Sequence, residues 1–280
     1  MPPIQNAKTQ KTLIIAHRGA RSIAPENTLL AAQQAFDIGA DLWELDVAMT
    51  SDVEIVVIHD DTLERTSNVE QVFPERKPWK IEAFTLKELR QLDFGSWFIQ
   101  KDPFKQIASG GVSKDQQMKF INLPIPTLRE ALHFTKDHHW RVNIEIKDLL
   151  GKPGDREIAE KVVALVDELE MPDSVIISSF NHSYIQRVKI ADPRIVTAAL
   201  VNNPDPDPVA LLSRLNAQAY NPDIKTLDFN QIPLVTKTGK AVYIWTVNDE
   251  TTMRKLIDAG VSGIFTDFPQ VLKKVLETYP

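Results

Sequence analysis

Short apolar runs alternate along the chain with segments whose apolar residues recur at helical spacing. The runs are rich in Val, Ile and Leu, as buried strands are, and predict strands at 11–16, 42–47, 54–58, 141–146, 174–178, 195–200, 217–221, 241–246 and 263–266. The longer segments predict helices at 28–38, 127–138, 155–169, 181–190, 208–215, 228–238, 249–258 and 269–277. This order of elements indicates a parallel barrel or a doubly wound sheet.

The second and third predicted strands are too close in sequence for a parallel connection. Only 48–53 separate them, whereas a parallel crossover needs about a dozen residues. We therefore expect an antiparallel hairpin that turns near Asp52 and Val53, with Asp46 opposite His59. Eight parallel strands remain, and this number favours an α/β fold of the TIM (β/α)8 barrel type.

Residues 60–125 interrupt this regular order. The segment contains several Pro, Gly and Trp residues and one predicted short helix near 85–93. It is too long for an ordinary barrel loop. We interpret it as a small insertion after the second strand and its hairpin, within a single domain that spans 1–280.

Composition excludes several classes of function. The chain is 43% hydrophobic and 25% charged, as soluble globular proteins are, and it carries a formal charge of −6, which argues against non-specific binding of nucleic acid. Cysteine is absent, which excludes disulfides, thiolate metal sites and cysteine nucleophiles. The polar N-terminus and the lack of long apolar runs predict a cytoplasmic protein without a membrane span, with a processed secreted form as the alternative.

Acidic residues lie near the ends of two predicted strands. Glu44 and Asp46 are two positions apart, so they share one face of a strand, and Glu145 lies at a similar position on another. Buried acids need a cation, and hard divalent ions prefer oxygen ligands. The alternative is pairing with Arg or Lys. For three acids at comparable positions, we favour a metal site.

Two histidines close apolar strands, and two cations lie beside the acids. His17 and His59 are candidates for a general acid and base, because imidazole titrates near neutral pH. Arg18 and Lys147 could contact a phosphate; Lys147 could also pair with Glu145. By contrast, His133, His138 and His139 fall on or just after a predicted helix and are expected to be structural or surface residues. The role of His182 stays open.

An ordered set of short motifs resembles the glycerophosphodiester phosphodiesterases. The motifs run from 13 to 270 and cover nearly the whole chain. They are His17-Arg18-Gly19, Pro25-Glu26-Asn27-Thr28, Glu44-Leu45-Asp46-Val47, the run from His59 to Thr66, Ile125-Pro126-Thr127-Leu128, Glu145-Ile146-Lys147, Ser178-Ser179-Phe180, Trp245-Thr246-Val247-Asn248 and Thr266-Asp267-Phe268-Pro269.

This resemblance implies a TIM barrel enzyme that hydrolyses small glycerophosphodiesters to sn-glycerol 3-phosphate and an alcohol. It implies one divalent cation (Mg²⁺ or Ca²⁺, with Mn²⁺ as a further option), and it implies attack by the glycerol 2-hydroxyl to give a cyclic phosphate. The implied site comprises acid/base residues His17 and His59, metal ligands Glu44, Asp46 and Glu145, phosphate contacts Arg18 and Lys147, and an apolar wall beside the glycerol formed by Phe180 and Trp245.

Two departures from the family pattern and two alternatives accompany the resemblance. Val53 stands where the family usually has glycine in the hairpin turn, and Ser67 follows Thr66 where glycine is also usual. A related enzyme of the lysophospholipase D or sphingomyelinase D type would need an apolar channel, which insertion aromatics Phe73, Trp79, Trp97 and Phe98 could line. The other alternative is a non-catalytic binding barrel.

The sequence does not predict the alcohol half of the substrate or the oligomeric state of the protein.

Overall fold

The computed structural model describes residues 12–279, and in them the predicted alternation of strands and helices is present. The strands are β1 Leu13–Ala16, β2 Leu42–Met49, β3 Ile55–Val57, β4 Val142–Ile146, β5 Val175–Ser179, β6 Val196–Val201, β7 Ala219–Pro222, β8 Ala241–Ile244 and β9 Gly263–Thr266. Each predicted strand is observed with boundaries within a few residues. Lys11, the first residue of the first predicted strand, lies outside the described residues.

Eight of these strands close into a parallel barrel. Their order is β1-β9-β8-β7-β6-β5-β4-β2, and pairing of β1 with β2 completes the ring. The ninth strand, β3, lies antiparallel on β2. The predicted TIM barrel with one hairpin is therefore confirmed.

Helices lie in the connections between the strands, and the longer ones pack around the outside of the barrel. In chain order they are α1 Leu29–Ile38, α2 Val69–Val72, α3 Leu86–Leu89, α4 Ser96–Lys101, α5 Lys114–Met118, α6 Leu128–Asp137, α7 Ile158–Glu168, α8 His182–Ala191, α9 Pro208–Leu215, α10 Gln231–Thr236, α11 Glu250–Asp258 and α12 Pro269–Glu277. Capping boxes at Thr127 and Thr85 and a left-handed Gly39 after α1 fix three helix ends. None of the helices in 12–279 is long and apolar enough to cross a membrane.

Strand β2 shows how the barrel positions its polar residues. Trp43, Leu45 and Val47 point outward into the main apolar core between strands and helices. Because side chains alternate along a strand, Glu44 and Asp46 point into the barrel. Below them, large side chains from several strands fill the interior: Ile15, Leu42, Ile176, Tyr243 and Phe265.

The hairpin register differs by one residue from the prediction. Val47 pairs with Val57 and Met49 with Ile55, so Ile58, not His59, lies opposite Asp46, and its amide donates to the Asp46 carbonyl. The cause is that the loop, 51–53, has an odd number of residues. It is closed by a hydrogen bond from the Thr50 amide to the Glu54 carbonyl. Val53 takes a left-handed backbone with φ of 68°, the conformation for which glycine is preferred in such loops.

The insertion, residues 60–125, contains more helix than predicted. It holds α2 to α5 and two short 3₁₀ helices, Pro74–Arg76 and Ile81–Ala83. One apolar cluster joins Trp79 and Phe84 to the hairpin, and another joins Trp97 and Phe98 to Ala31 of α1. The insertion therefore packs over the hairpin and over the loop that follows β1. The assignment of all 280 residues to a single domain stays a prediction.

Candidate active site

Three carboxylates meet inside the barrel at the carboxyl end of its strands. Asp46 of β2 pairs in register with Glu145 of β4, and Glu44 lies one pleat below Asp46. One oxygen of each residue lies within 4.8 Å of the other two. Glu44 and Asp46 are almost fully buried. The predicted acidic cluster is thus present as a compact, largely dehydrated group.

The electrostatics of this cluster favour a positive charge among the three carboxylates. Burial, followed by repulsion from Asp46, raises the pKa of both Glu44 and Glu145. Burial would also raise the pKa of Asp46, but Arg18 and Lys147 outweigh it and lower that pKa to about 2. Among the described residues, Glu44 Oε1 has no hydrogen-bond partner. A buried acceptor of this kind is costly unless a cation or donor meets it.

Arg18 lies beyond the end of β1 and lines a cleft together with Glu44 and Glu145. Its backbone is left-handed, with φ of 57°, and its amide donates to Glu44 at 2.8 Å. Its Nη1 donates to Glu26 at 2.9 Å. Its Nε lies 3.2 Å from Asp46 Oδ2 but makes no hydrogen bond to it. The pair is therefore a charge contact and not a hydrogen bond.

Lys147 follows β4 and pairs with two of the acids. Its Nζ lies 2.8 Å from Glu145 and 3.6 Å from Asp46. The predicted alternative of ion pairing is therefore observed together with the acidic cluster. Two cations set against three carboxylates leave the group with a net negative charge, which one divalent ion would reverse.

His17 forms a histidine–aspartate pair that the sequence did not reveal. Its Nδ1 lies 2.6 Å from Asp267 Oδ1. Because an ionised carboxylate can only accept, Nδ1–H donates this hydrogen bond, and Nε2 faces away from Asp267. Burial, followed by the charge of Arg18, lowers the pKa of His17 despite the opposing effect of Asp267. A neutral imidazole in this state can accept a proton.

His59 forms a second pair of the same type. It lies two residues past β3, and its Nδ1 lies 2.6 Å from Asp60 Oδ1. Arg65 donates to both oxygens of Asp60. Although the hairpin register differs from the prediction, His59 lines the cleft that contains His17, Glu44 and Glu145.

Four residues of the site went unassigned at the sequence level: Asp60, Asp267, Glu26 and Asn27. Asp60 and Asp267 hold the histidines, Glu26 binds Arg18, and Asn27 Nδ2 donates to Asp46 at 2.9 Å. All four stand in the motifs quoted above. Asp267 directly follows a predicted strand, as His17 does, and this position could have marked it as a site residue.

An apolar wall completes the cleft, which has a volume of about 100 Å³. Phe180 and Trp245 meet edge to face with ring centroids 5.5 Å apart, and Leu200 and Phe265 lie beside them. Trp245 is held by a hydrogen bond from Nε1 to the Asn221 carbonyl. The two predicted aromatics are therefore brought to the same cleft as the acids and histidines.

Of the remaining histidines assessed above, His133 and His139 are exposed, whereas His138 and His182 make contacts within the protein. His138 bonds the Phe134 carbonyl and packs between Phe36 and Phe134. His182, whose role stayed open, contacts the Leu200 carbonyl through Nε2 at 3.0 Å.

A family model described as the glycerophosphoryl diester phosphodiesterase family matches residues 17–271. The chain belongs to this family. A glycerophosphodiester phosphodiesterase of Caldanaerobacter subterraneus subsp. tengcongensis is 36% identical over 94% of this chain and 96% of its own length. One from Bacillus subtilis is 32% identical over 96% of this chain and 88% of its own. The prediction of a glycerophosphodiester phosphodiesterase is confirmed at this level.

Solved structures of the family share the fold. An Oleispira antarctica phosphodiesterase, in complex with its product sn-glycerol 3-phosphate, is 26% identical, with a TM-score of 0.78 over 95% of this chain and 97% of its own. A Silicibacter pomeroyi protein reaches a TM-score of 0.82 at 23% identity, over 96% and 94% of the two chains, and shows the fold alone.

Proposed function

We propose that the chain hydrolyses small glycerophosphodiesters to sn-glycerol 3-phosphate and an alcohol. The observation that carries this proposal is one cleft that unites three carboxylates with two histidine–aspartate pairs. The product bound by the Oleispira antarctica relative supports it. Two histidines that can exchange protons, beside three carboxylates that can bind a cation, suit the hydrolysis of a phosphodiester.

Glu44, Asp46 and Glu145 would hold one divalent cation. All three offer carboxylate oxygens, which suit Mg²⁺, Ca²⁺ and Mn²⁺ alike. Glu44 Oε1 has no hydrogen-bond partner within residues 12–279, and this supports the fit, as do the raised pKa values of Glu44 and Glu145. When bound, such an ion would supply positive charge that polarises the phosphate and lowers the pKa of the attacking hydroxyl.

His17 and His59 would move protons at their free Nε2 atoms. In the first step, the glycerol 2-hydroxyl attacks phosphorus; one histidine takes its proton, and the other protonates the departing alcohol oxygen. A cyclic phosphate results. In the second step the roles reverse: water attacks phosphorus and loses its proton, while the 2-oxygen leaves and is protonated. Each histidine thereby returns to its starting state.

Four further residues would bind and orient the substrate. Arg18 and Lys147 both line the cleft, and the Lys147 side chain is 20% exposed there, so both can contact phosphate oxygens. Phe180 and Trp245 present apolar faces to the carbon chain of glycerol. This arrangement would place the phosphate between the acids and the histidines.

The lysophospholipase D or sphingomyelinase D alternative has less support. Trp79, Trp97 and Phe98 are buried within the clusters that attach the insertion, and the cleft is lined instead by Phe180, Leu200, Trp245 and Phe265. The proposed substrate is therefore a short glycerophosphodiester. The cytoplasmic location and the absence of a nucleic-acid partner remain predictions from the sequence.

The test is release of sn-glycerol 3-phosphate from glycerophosphocholine by the purified protein. We expect activity that EDTA removes and that Mg²⁺, Ca²⁺ or Mn²⁺ restores. Glu145→Gln should weaken both activity and Mn²⁺ binding measured by calorimetry, whereas Glu168→Gln, an exposed acid on α7, should change neither. A protein inert on glycerophosphodiesters with all three ions present contradicts the proposal. Preferential cleavage of lysophosphatidylcholine would favour the alternative.

A further inference from the structure

Glu26 is a buried carboxylate surrounded by arginines. Its side chain is 3% exposed, and it accepts hydrogen bonds from Arg18 at 2.9 Å, from Arg21 at 2.9 Å and from Arg65 at 3.0 and 2.6 Å. Burial would raise the pKa of Glu26, but these arginines hold it well below its usual range. Glu26 is therefore ionised and fully paired.

Two of these arginines also donate hydrogen bonds to the aspartates that hold the histidines. Arg21 Nη1 lies 3.3 Å from Asp267 Oδ1, the oxygen that also binds His17 Nδ1. Arg65 Nη2 lies 3.0 Å from Asp60 Oδ1, the oxygen that also binds His59 Nδ1. The two arms have the same order: histidine, aspartate, arginine and then the shared Glu26.

We propose that Glu26 is a positioning residue that holds both histidine–aspartate pairs in register through Arg21 and Arg65. The consequence for turnover rests on the proposed function; the structural linkage does not. Glu26 touches neither histidine and acts only through the arginines and aspartates.

Charge balance gives the physical reason. Arg18, Arg21 and Arg65 carry three positive charges, and Glu26, Asp60 and Asp267 carry three negative ones. Without the Glu26 charge, the arginines would be drawn towards their remaining carboxylates. The planar guanidinium groups of Arg21 and Arg65 would then rotate, and the aspartate oxygens that orient both imidazoles would shift with them.

Nitrogen-15 NMR of the histidine rings tests the linkage without reference to activity. At about pH 8, above the ordinary histidine pKa, the Nδ1 and Nε2 shifts report tautomer and hydrogen bonding. Glu26→Gln, which keeps the shape and removes the charge, should move the signals of both His17 and His59. Glu160→Gln serves as the matched control, because Glu160 pairs with Arg187 far from either histidine pair, and it should move neither.

Cross-effects keep the proposal testable if Glu26→Gln does not fold. Arg21→Met should move the signals of His17 and, through Glu26, those of His59. Arg65→Met should do the reverse. If each arginine affects only its own histidine, or if folded Glu26→Gln moves one signal or none, the proposal is wrong. In the activity assay we expect kcat of Glu26→Gln to fall about tenfold, the lower end of the cost of losing a supporting hydrogen bond.

Discussion

The two histidine–aspartate pairs make the same contact in different surroundings. Both join Nδ1 to a carboxylate oxygen at 2.6 Å. Asp267 is 250 positions from His17 in sequence, whereas Asp60 follows His59 directly. The side chains of the first pair are 15% and 8% exposed, and those of the second 33% and 23%. Barrel closure therefore builds one pair, and local sequence builds the other.

This difference affects how each pair is held. β1 pairs with β9, with Ala16 opposite Thr266, so His17 and Asp267 leave adjacent strands side by side. His59 and Asp60 follow the short strand β3, and Arg65, in the insertion, binds both oxygens of Asp60. We infer that the first pair depends on the barrel and the second on the hairpin and the insertion.

Loss of either imidazole should have the largest effect. We expect His17→Ala and His59→Ala each to lower kcat by roughly a hundredfold or more, the usual cost of losing acid/base catalysis. Turnover of glycerophosphocholine measures this. His133→Ala, an exposed histidine on α6, is the control and should match wild type. A variant at either position that retains full activity would remove that histidine from the proposed chemistry.

Neutralising the aspartates should separate the two pairs. Asp267→Asn favours the wrong imidazole tautomer in a buried setting, so we expect a loss in kcat of about fiftyfold. Asp60→Asn should cost about tenfold, because its pair is more exposed and Arg65 remains beside it. Equal losses, or a larger loss at Asp60, would show that burial does not distinguish the pairs. Steady-state kinetics at saturating substrate measure both.

Acid should destabilise the protein partly through Asp267. Burial would raise its pKa, but His17 and Arg21 lower it to about 2. A carboxyl whose folded pKa lies below its unfolded value stabilises the fold above the unfolded pKa, and this contribution is lost as pH falls towards 2. The shift corresponds to about 2 kcal/mol, of which roughly half is lost by about pH 3.

Urea unfolding at about pH 6 and about pH 3 measures this contribution. Wild type should lose more stability between the two values than Asp267→Asn, by about 1 kcal/mol. Asp137→Asn, which changes an exposed carboxyl at the end of α6, is a suitable control and should behave as wild type. Equal pH dependence in Asp267→Asn and wild type would contradict the assignment.

The smallest expected effect concerns the hairpin that carries His59. Val53 is 43% exposed and has a positive φ, so Val53→Gly should relieve backbone strain and stabilise the protein by about 0.5–1 kcal/mol. Val72→Gly, at a similarly exposed helical position, should instead destabilise it by up to about 1 kcal/mol. Thermal unfolding compares the two, and destabilisation by Val53→Gly would argue against strain at this turn.

Much of the fold could be predicted because its signals are local. Apolar runs and helical periodicity located the strands and the barrel helices, and the shortness of 48–53 revealed the hairpin. The register was wrong by one residue, because it depends on whether the loop contains an even or odd number of residues. Most of the insertion's short helices were also missed, since helices such as Val69–Val72 are too short to show periodicity.

By itself, the sequence determined the order of strands and helices, the placement of Glu44 and Asp46 on one face of a strand, and the set of polar residues at strand ends. Side-chain alternation and strand length are properties of neighbouring residues, so they can be read without a structure. Only the tertiary structure decided that Asp267 holds His17 and that Glu26 joins the arginines of both pairs. Those partners are chosen by barrel closure and by packing of the insertion, which bring together residues that the sequence separates.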